Sequence, residues 1–236
     1  MSLRKGVYNL PDDAQTLFDL YKKLYTITDG AVTPLIGQLL VDAGYDANYS
    51  LTQQKKLTQP PEWDKAIHYG FPKLTVKKPS LLDFGAAGKG YLIDIVSQIL
   101  EINNIRSYCI DAGGDIRYRH HEKKPLRVGF EDPENTQQVI GVAEIINQSI
   151  CGSAGNRRKW GKYHHIFNPN TMKPVDNILA TWATSKTALI ADAMATCLFF
   201  VSNKLLLKDY DFEYLVLYAD RSIEVSSKFP IELFTK

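Results

Sequence analysis

The chain has 236 residues, of which 44% are hydrophobic and 23% charged, and its formal net charge is +2. This composition is ordinary for a folded globular protein, and the length allows a sizeable buried core. The small net charge gives no indication of nucleic acid or an anionic membrane as a partner. The longest apolar run, Cys197 to Val201, is too short to span a bilayer.

The first half of the chain predicts helices separated by a polar stretch. Apolar residues recur at helical spacing after Pro11, and Gly30 ends that pattern. A shorter helix is predicted over 34–45. The stretch 46–80 is polar and holds four prolines, so it is predicted to be rich in loops. A further helix is predicted over 90–103.

The second half changes to short β-rich runs separated by Gly, Pro and Asn turns. The predicted strands are 106–110, 126–130, 139–146, 149–152, 163–168 and 179–185, followed by a hairpin-like pair, 213–219 and 222–226. A helix is predicted over 187–205. Strands that follow strands, with helices grouped elsewhere, predict an α+β fold with a mainly antiparallel sheet. No linker is evident, so residues 1–236 are predicted to form one domain.

The three cysteines, Cys109, Cys151 and Cys197, lie far apart and form no C-x-x-C motif. An odd number without metal-site spacing is not typical of a disulfide framework or a metal site. We therefore expect them to be small buried apolar residues.

The stretch LLDFGAAGKGYLID, residues 81–94, looks at first like a phosphate loop. A P-loop is excluded because Asp83 stands where its first glycine is needed and Gly90 stands in place of its Ser or Thr. A dinucleotide fingerprint also fails, because no third glycine follows. Two interpretations remain, an anion site at a helix N-terminus or a glycine-rich turn, and this segment alone favours the turn.

The helix predicted over 187–205 carries Asp192 and Thr196 four residues apart, so both lie on one face. This helix is apolar nearly all round and is expected to be buried, where an ionised Asp192 needs a partner. The nearest basic residues, Lys186 and Lys204, lie too far along the helix. A hard cation such as Mg²⁺, the backbone N–H groups of another segment, and a distant arginine all remain possible partners.

Two further segments each allow two interpretations. The run from Asp111 to Asp115, D-A-G-G-D, is either a tight turn or a close approach of backbone to a ligand, and the turn is favoured. The run from Gly152 to Arg158 offers small residues and two guanidinium groups to a phosphate-bearing ligand, or it is a solvated basic loop.

Two histidine pairs are present. His164 and His165 are expected on opposite faces of a strand, so both cannot bind one metal without a bulge. One of them near a polar site is a candidate general base, because the imidazole pKa lies near neutrality. His120 and His121 lie in a charged loop and are expected at the surface.

Taken in order, five motifs resemble the ApbE family of FAD:protein FMN transferases. The motifs are D-F-G-A-A-G-K-G-Y-x-x-D from Asp83, D-A-G-G-D-I from Asp111, G-S-x-G from Gly152, H-H-I-x-N-P-x-T from His164 and A-D-A-x-A-T from Ala191. The stretch 28–34, T-D-G-A-x-x-P, fits the family's upstream segment. By this resemblance the glycine stretch belongs to a flavin nucleotide site.

The resemblance implies an ApbE-like fold and an enzyme that transfers FMN from FAD to a threonine hydroxyl of a partner protein. Mg²⁺ would bridge the FAD pyrophosphate, and AMP would be released. The implied partners are FAD and an acceptor flavoprotein, with no nucleic acid. Two alternatives remain open: an FAD pyrophosphatase that produces FMN and AMP, and a non-catalytic flavin-binding protein.

The resemblance also implies roles for single residues. The Mg²⁺ ligands would be Asp192, Thr196 and the carbonyl oxygen of Ala86. The residues in contact with FAD would be Thr33, Asp83, Lys89 and Ile166. Of the two histidines, His165 would be the one that assists catalysis.

The start of the chain carries two expectations. Members of the family normally have strands and a flavin contact before the first helix, and this chain begins too late to contain them. Residues 1–6 also lack the apolar core of a signal peptide. The chain as given is expected in the cytoplasm, and the bacterial cell envelope stays open if a signal has been removed.

Overall fold

The computed structural model describes residues 2–161 and 163–234. Its helices are α1 (Ala14–Ile27), α2 (Gly37–Ala43), α3 (Trp63–Ala66), α4 (Gly88–Ile102), α5 (Ala188–Cys197) and α6 (Asn203–Leu206), and a 3₁₀ turn (Pro34–Ile36) precedes α2. Its strands are β1 (Ser2–Leu3), β2 (Gly6–Asn9), β3 (Ile67–Gly70), β4 (Lys73–Val76), β5 (Ser80–Leu81), β6 (Tyr108–Asp111), β7 (Ile116–Arg119), β8 (Leu126–Asp132), β9 (Asn135–Ile145), β10 (Ser149–Ala154), β11 (Lys159–Trp160), β12 (Tyr163–His164), β13 (Phe167–Asn168), β14 (Lys173–Pro174), β15 (Ile178–Ser185), β16 (Glu213–Tyr218), β17 (Ile223–Val225) and β18 (Ile231–Leu233).

All strand pairs in the described ranges are antiparallel. The predicted α+β class with mainly antiparallel sheet is therefore confirmed. The chain separates into two compact units. Unit 1 holds the residues up to Gly85 together with Arg158–Val175, and unit 2 holds Ala86–Arg157 and the residues from Asp176 onward. One domain over 1–236 stays a prediction.

In unit 1, helix α1 follows the predicted apolar spacing and buries Leu17 and Leu24. Its aromatic residues Phe18 and Tyr21 both meet the ring of Phe84 edge to face, at 5.5 and 5.4 Å between centroids. These contacts hold the helix against the segment that leads into the glycine stretch. The helix predicted over 34–45 is also confirmed, as the 3₁₀ turn followed by α2.

The loop-rich interpretation of residues 46–80 was wrong for its second half. Strands β3 and β4 pair there, and β4 also pairs with β2 to form a three-stranded sheet. Leu74 and Val76 are buried on alternate positions of β4, as a half-buried strand requires. Pro72 lies in the turn between β3 and β4, where no ladder hydrogen bond is needed, so it does not exclude strands on either side.

Two short strands, β1 and β2, precede the first helix, where none was expected. β1 pairs with β5, and β2 pairs with β4. Both are short and mostly exposed, so they lack the apolar alternation that identifies a strand in a sequence.

Unit 2 contains a six-stranded sheet in the order β17-β16-β15-β10-β7-β6 and a three-stranded sheet in the order β18-β9-β8. Buried side chains of both sheets form one core. Its members are Ile116, Tyr118, Ile150, Leu215 and Leu217 from the larger sheet and Phe130, Ala143 and Ile145 from the smaller one. Helices α4 and α5 pack on each other, and α5 also packs on β10 and β15.

Two predicted elements are divided in the structure. The helix predicted over 187–205 ends at Cys197 and restarts as α6, because the hydroxyl of Ser202 accepts a hydrogen bond from the N–H of Lys204 and caps a new turn. The strand predicted over 163–168 is two short strands, β12 and β13, which pair with β11 and β14. Strand β7, after the two glycines of the D-A-G-G-D turn, was missed.

Cys151 and Cys197 are buried as expected, whereas Cys109 is exposed, and all three are free thiols. The described residues contain no helix with the length and apolar character needed to cross a membrane.

Candidate functional site

Some of the predicted site residues lie in unit 1 and the others in unit 2. In unit 2 the first of them belong to the glycine stretch. Helix α4 begins at Gly88, directly after a turn that contains Ala86. A Cβ on Gly90 would lie 2.8 Å from the Cβ of Asp192 and would also meet the carbonyl oxygen of Ala188. Gly90 is therefore required because α4 and α5 approach each other so closely that no side chain fits between them.

Each of these two helices caps the start of the other. The carboxylate of Asp94 on α4 accepts hydrogen bonds from the N–H groups of Ala188 and Leu189, the first residues of α5, at 2.9 and 2.8 Å. The carboxylate of Asp192 on α5 accepts one from the N–H of Gly90 in the first turn of α4, at 2.8 Å. Burial raises the pKa of Asp94, and these N–H groups oppose that shift. The exchange satisfies N–H groups that a helix leaves free at its start.

A charged cluster with two buried carboxylates lies beside the start of α4. Asp115, 1% exposed, follows the glycine turn between β6 and β7 and forms an ion pair with Lys89. It also accepts a hydrogen bond from the N–H of Gly152 at 3.1 Å. Burial and then the charge of Asp115 raise the pKa of Asp192 to about 7. Burial lowers the pKa of Lys89, but the carboxylate of Asp115 outweighs this and raises it. Two buried carboxylates thus share one nearby ammonium group.

Oxygen donors accompany this cluster. The hydroxyl of Thr196 lies one turn beyond Asp192 on α5, and Ser153 Oγ lies 3.2 Å from Thr196 Oγ1. Carboxylate, hydroxyl and carbonyl oxygens are the donors that Mg²⁺ prefers. Within the described residues, no group of three or more His, Cys, Asp or Glu side chains is placed to hold a metal ion. A hard cation at these oxygen donors would offset the excess negative charge, and a ligand or water would have to complete its coordination.

The set in unit 1 includes Thr33 and Asp83, which the fold brings onto adjacent segments. Thr33 is buried, and its Oγ1 accepts a hydrogen bond from the N–H of Leu35 at 3.2 Å, which caps the 3₁₀ turn. The N–H of Asp83 donates to the carbonyl oxygen of Pro34 at 2.8 Å, and its carboxylate accepts from the N–H of Gly85 at 2.8 Å. Both predicted FAD contacts therefore also have local structural roles.

The two adjacent histidines differ in their surroundings. His164 ends β12, and its Nε2 lies 2.8 Å from the carbonyl oxygen of Val175 while its Nδ1 accepts from the N–H of Ile166 at 3.3 Å. This pattern places the ring proton of a neutral His164 on Nε2. His165 lies in the bend after the strand, so the prediction that the pair occupies opposite faces of one strand was wrong. The two contacts give His164 a structural role, and the catalytic role of His165 stays a prediction.

An aromatic cluster that the sequence did not reveal lies beside His165. The ring of Tyr45 lies 6.1 Å from that of His165 and stacks on Trp160 at 5.9 Å between centroids. Burial, and then a hydrogen bond with Tyr49, raise the pKa of Tyr45 to about 12, so it is a neutral phenol at physiological pH. The guanidinium of Arg158 lies 5.8 Å from the Tyr45 centroid, in a cation–π contact.

The sequence model of the ApbE family matches residues 2–210 of this chain, which is most of its length. The chain belongs to the ApbE family. The resemblance found from the five motifs is therefore confirmed.

Several curated proteins named FAD:protein FMN transferase are similar to this ApbE chain. A Haemophilus influenzae protein is 27% identical over 225 residues, which cover 87% of this chain and 60% of that protein. A Vibrio cholerae protein is 28% identical over 125 residues, or 49% of this chain and 37% of that protein. A Klebsiella pneumoniae protein is 32% identical over 124 residues, or 50% and 38% of the two chains. This chain thus spans less than two thirds of the length of these relatives.

Solved ApbE structures have the same fold. An ApbE protein from Thermotoga maritima superposes with a TM-score of 0.83 at 23% identity, covering 97% of this chain and 81% of that one. A flavin transferase ApbE from Vibrio cholerae superposes with a TM-score of 0.75 at 18% identity, covering 95% and 78% of the two chains. The ApbE-like fold expected from the motifs is confirmed.

Three residues of this ApbE chain were missing from the predicted site. Asp94 and Asp115 each stood inside a quoted motif, but only the fold shows that Asp94 caps α5 and that Asp115 pairs with Lys89. Tyr45 lies outside all five motifs and follows Gly44, the residue that ends α2. An aspartate directly after two glycines was the available signal for Asp115, whereas Tyr45 offered none.

Proposed function

We propose that this protein transfers FMN from FAD to a threonine hydroxyl of a partner protein, with release of AMP. The name shared by its curated relatives supports the reaction class. The observation that carries the proposal is the buried cluster of Asp115, Asp192 and Lys89 at the start of α4, with the hydroxyls of Ser153 and Thr196 beside it. Such a cluster suits a phosphate-bearing ligand together with a hard cation.

Asp192, Thr196 and the carbonyl oxygen of Ala86 are the proposed Mg²⁺ ligands. When bound, Mg²⁺ supplies positive charge that offsets the negative charge of the diphosphate. Lys89 adds a second positive charge, and its contact with Asp115 fixes the position of its ammonium group. Thr33, Asp83 and Ile166 are the proposed FAD contacts in unit 1.

The transfer exchanges one phosphorus–oxygen bond for another. The threonine oxygen forms a bond to the FMN phosphorus, and the bond from that phosphorus to the bridging oxygen breaks, so AMP leaves with its phosphate. His165 is proposed to take the proton of the threonine hydroxyl, because an imidazole with a pKa near neutrality can act as a general base. His164 is less suited to this role, since both of its ring nitrogens have backbone partners.

The proposal is tested by incubating the protein with FAD, Mg²⁺ and a candidate acceptor protein, beside that acceptor with its threonine changed to alanine. We expect a fluorescent flavin band on a denaturing gel only with the threonine, and one AMP for each labelled acceptor. FMN and AMP in solution without labelled protein would indicate the pyrophosphatase. FAD binding without any AMP would indicate a flavin-binding protein.

Two single histidine substitutions, one at the proposed base and one elsewhere, provide a matched comparison. His165→Ala should reduce labelling by about 100-fold or more, the usual contribution of a positioned general base. His68→Ala removes an exposed histidine from β3 of the same unit and should leave labelling unchanged. Equal labelling by the two variants would exclude His165 as the base.

A further inference from the structure

Unit 2 contains a pocket that shares no residue with the predicted site. It lies between the end of α4, the turn after β7 and the turn that joins β9 to β10. Its volume is about 450 Å³, which is within the range of small-molecule sites. We call it the basic pocket, and its lining residues are Glu101, Asn104, Ile105, Arg106, Arg119, His120, His121 and Asn147.

The one carboxylate that lines the basic pocket already has partners. Glu101 forms an ion pair with Arg119 and accepts a hydrogen bond from the hydroxyl of Tyr108 at 2.6 Å. The hydrogen bond from Arg119, and then the one from Tyr108, lower the pKa of Glu101, so it is ionised at neutral pH. Its charge offsets that of Arg119. Among the described residues no carboxylate forms an ion pair with Arg106, so the charge of Arg106 remains in excess.

The acceptor atoms of the neighbouring side chains are engaged as well. His120 Nδ1 accepts a hydrogen bond from the N–H of Glu122 at 3.2 Å, so the proton of the neutral ring lies on Nε2. Nδ1 of His121 lies 2.8 Å from the hydroxyl oxygen of Ser107. The amide oxygen of Asn147 accepts from the N–H of His120 at 2.7 Å. The Nε2–H group of His120 and the NH₂ group of Asn147 are therefore the donors that remain.

Carbonyl oxygens at the end of α4 would repel an anion if they were left free. Those of Ile99, Leu100 and Glu101 are not free, because N–H groups of the turn after the helix donate to them at 2.9–3.2 Å. The basic pocket is thus rich in hydrogen-bond donors and poor in free acceptors. A complementary ligand supplies acceptor oxygens and negative charge.

We propose that the basic pocket binds a phosphate group, either as free phosphate or as the ester of a small molecule. A phosphate has several acceptor oxygens, and a guanidinium group can contact two of them at once. Arg106 supplies the excess charge, and Arg119, held in place by Glu101, supplies further N–H donors. The proposal goes beyond the flavin transfer and does not depend on it.

The test is an NMR titration of the full chain, labelled with ¹⁵N at histidine, with inorganic phosphate at constant ionic strength. The ring signals of His120 and His121 report on the basic pocket, because the other three histidines belong to unit 1. We expect both signals to shift and to reach saturation. Glycerol 3-phosphate is the second probe. Binding tighter than that of inorganic phosphate identifies an ester as the ligand, and equal or weaker binding identifies free phosphate.

Arg106→Gln should raise the dissociation constant for inorganic phosphate at least about 10-fold, because it removes a charge-assisted contact. Arg106 is exposed and has no ion pair among the described residues, so the melting temperature should not change. Arg127→Gln is the matched control, since it removes a guanidinium from an exposed position on β8 of the same unit, outside the pocket. Its dissociation constant should stay within about twofold of the wild type, because salt screens distant surface charges.

Three results would overturn the proposal. The first is that the ring signals of His120 and His121 do not shift, or shift without saturation. The second is that Arg106→Gln binds inorganic phosphate as tightly as the wild type. The third is that Arg127→Gln weakens binding as much as Arg106→Gln, which would indicate attraction to the general surface charge.

Discussion

Asp192 accepts a hydrogen bond from the backbone N–H of Gly90 at 2.8 Å, although the two residues are 102 positions apart in the chain. The carboxylate proposed to bind Mg²⁺ therefore also caps a helix. Two of the partners that the sequence left open for Asp192, a cation and backbone N–H groups, are thus compatible with each other. They can be separated by a substitution that keeps the acceptor oxygen and removes the charge.

Asp192→Asn should retain the fold and lose the response to Mg²⁺. The amide oxygen can still accept from the N–H of Gly90, and the repulsion from Asp115 disappears. Asp192→Ala removes the cap as well and should lower the unfolding free energy by about 1 kcal/mol. Mg²⁺ at one hundred times its dissociation constant should stabilise the wild type by about 2.7 kcal/mol. Thermal melts with and without Mg²⁺ measure both effects. An Asp192→Asn variant stabilised by Mg²⁺ as much as the wild type would refute the ligand role.

Lys89→Met should destabilise the protein. Methionine keeps most of the aliphatic length but leaves the buried Asp115 without its ammonium partner. Breaking a fully buried ion pair costs about 3–5 kcal/mol, and because 40% of the Lys89 side chain is exposed, the expected loss here is smaller, about 1–3 kcal/mol. Lys65→Met is the control, because it breaks an exposed pair with Glu62, worth at most about 1 kcal/mol. Urea denaturation near neutral pH gives both values, and equal losses would contradict the buried pair.

Gly90→Ala should destabilise the contact between α4 and α5. The added methyl group has no space beside Ala188 and Asp192, and overpacking of this kind typically costs about 1–3 kcal/mol. Gly70→Ala is the control, since its Cβ would meet nothing within 4 Å. A shift in denaturation midpoint for Gly90→Ala alone is expected. Similar midpoints for the two variants would mean that the helices can move apart at no cost.

The ion pair of Asp132 with Arg221 predicts a dependence of stability on pH. Hydrogen bonding to the guanidinium lowers the pKa of Asp132 from 3.8 to about 2. A carboxyl group with a lowered pKa in the folded state adds stability above the unfolded pKa, and this stability is lost as the pH falls toward 2. Arg221 is partly exposed, so solvent screening limits the contribution to about 1–2 kcal/mol.

Arg221→Gln measures this contribution. The difference in unfolding free energy between wild type and variant should be constant above about pH 5, should decrease as the pH falls through 3.8 and 2, and should disappear only below about pH 2. Chemical denaturation at a series of pH values determines it. A difference that stays the same down to the lowest pH would exclude the ion pair as its source.

The sequence predicted what depends on local patterns and missed what depends on distant partners. The spacing of Asp192 and Thr196 identified a shared polar face of α5, and the apolar periodicity identified α1 and α4. The strands β3 and β4 were missed because prolines and charges obscured a short alternation. No local signal could pair Asp192 with Gly90 or place Tyr45 beside His165, since these contacts join segments that are far apart in the chain.

The reciprocal capping of α4 and α5 has a consequence for synthesis. A ribosome releases α4 well before α5, so the N–H groups at the start of α4 wait for an acceptor that arrives 102 residues later. Helix α5 is in the opposite situation, because Asp94, the acceptor for its first N–H groups, is translated before them. In a nascent chain that is too short to include Asp192, the N–H of Gly90 therefore lacks the acceptor that it has in the folded protein. The charged cluster beside that turn can assemble only after Asp192 has been translated.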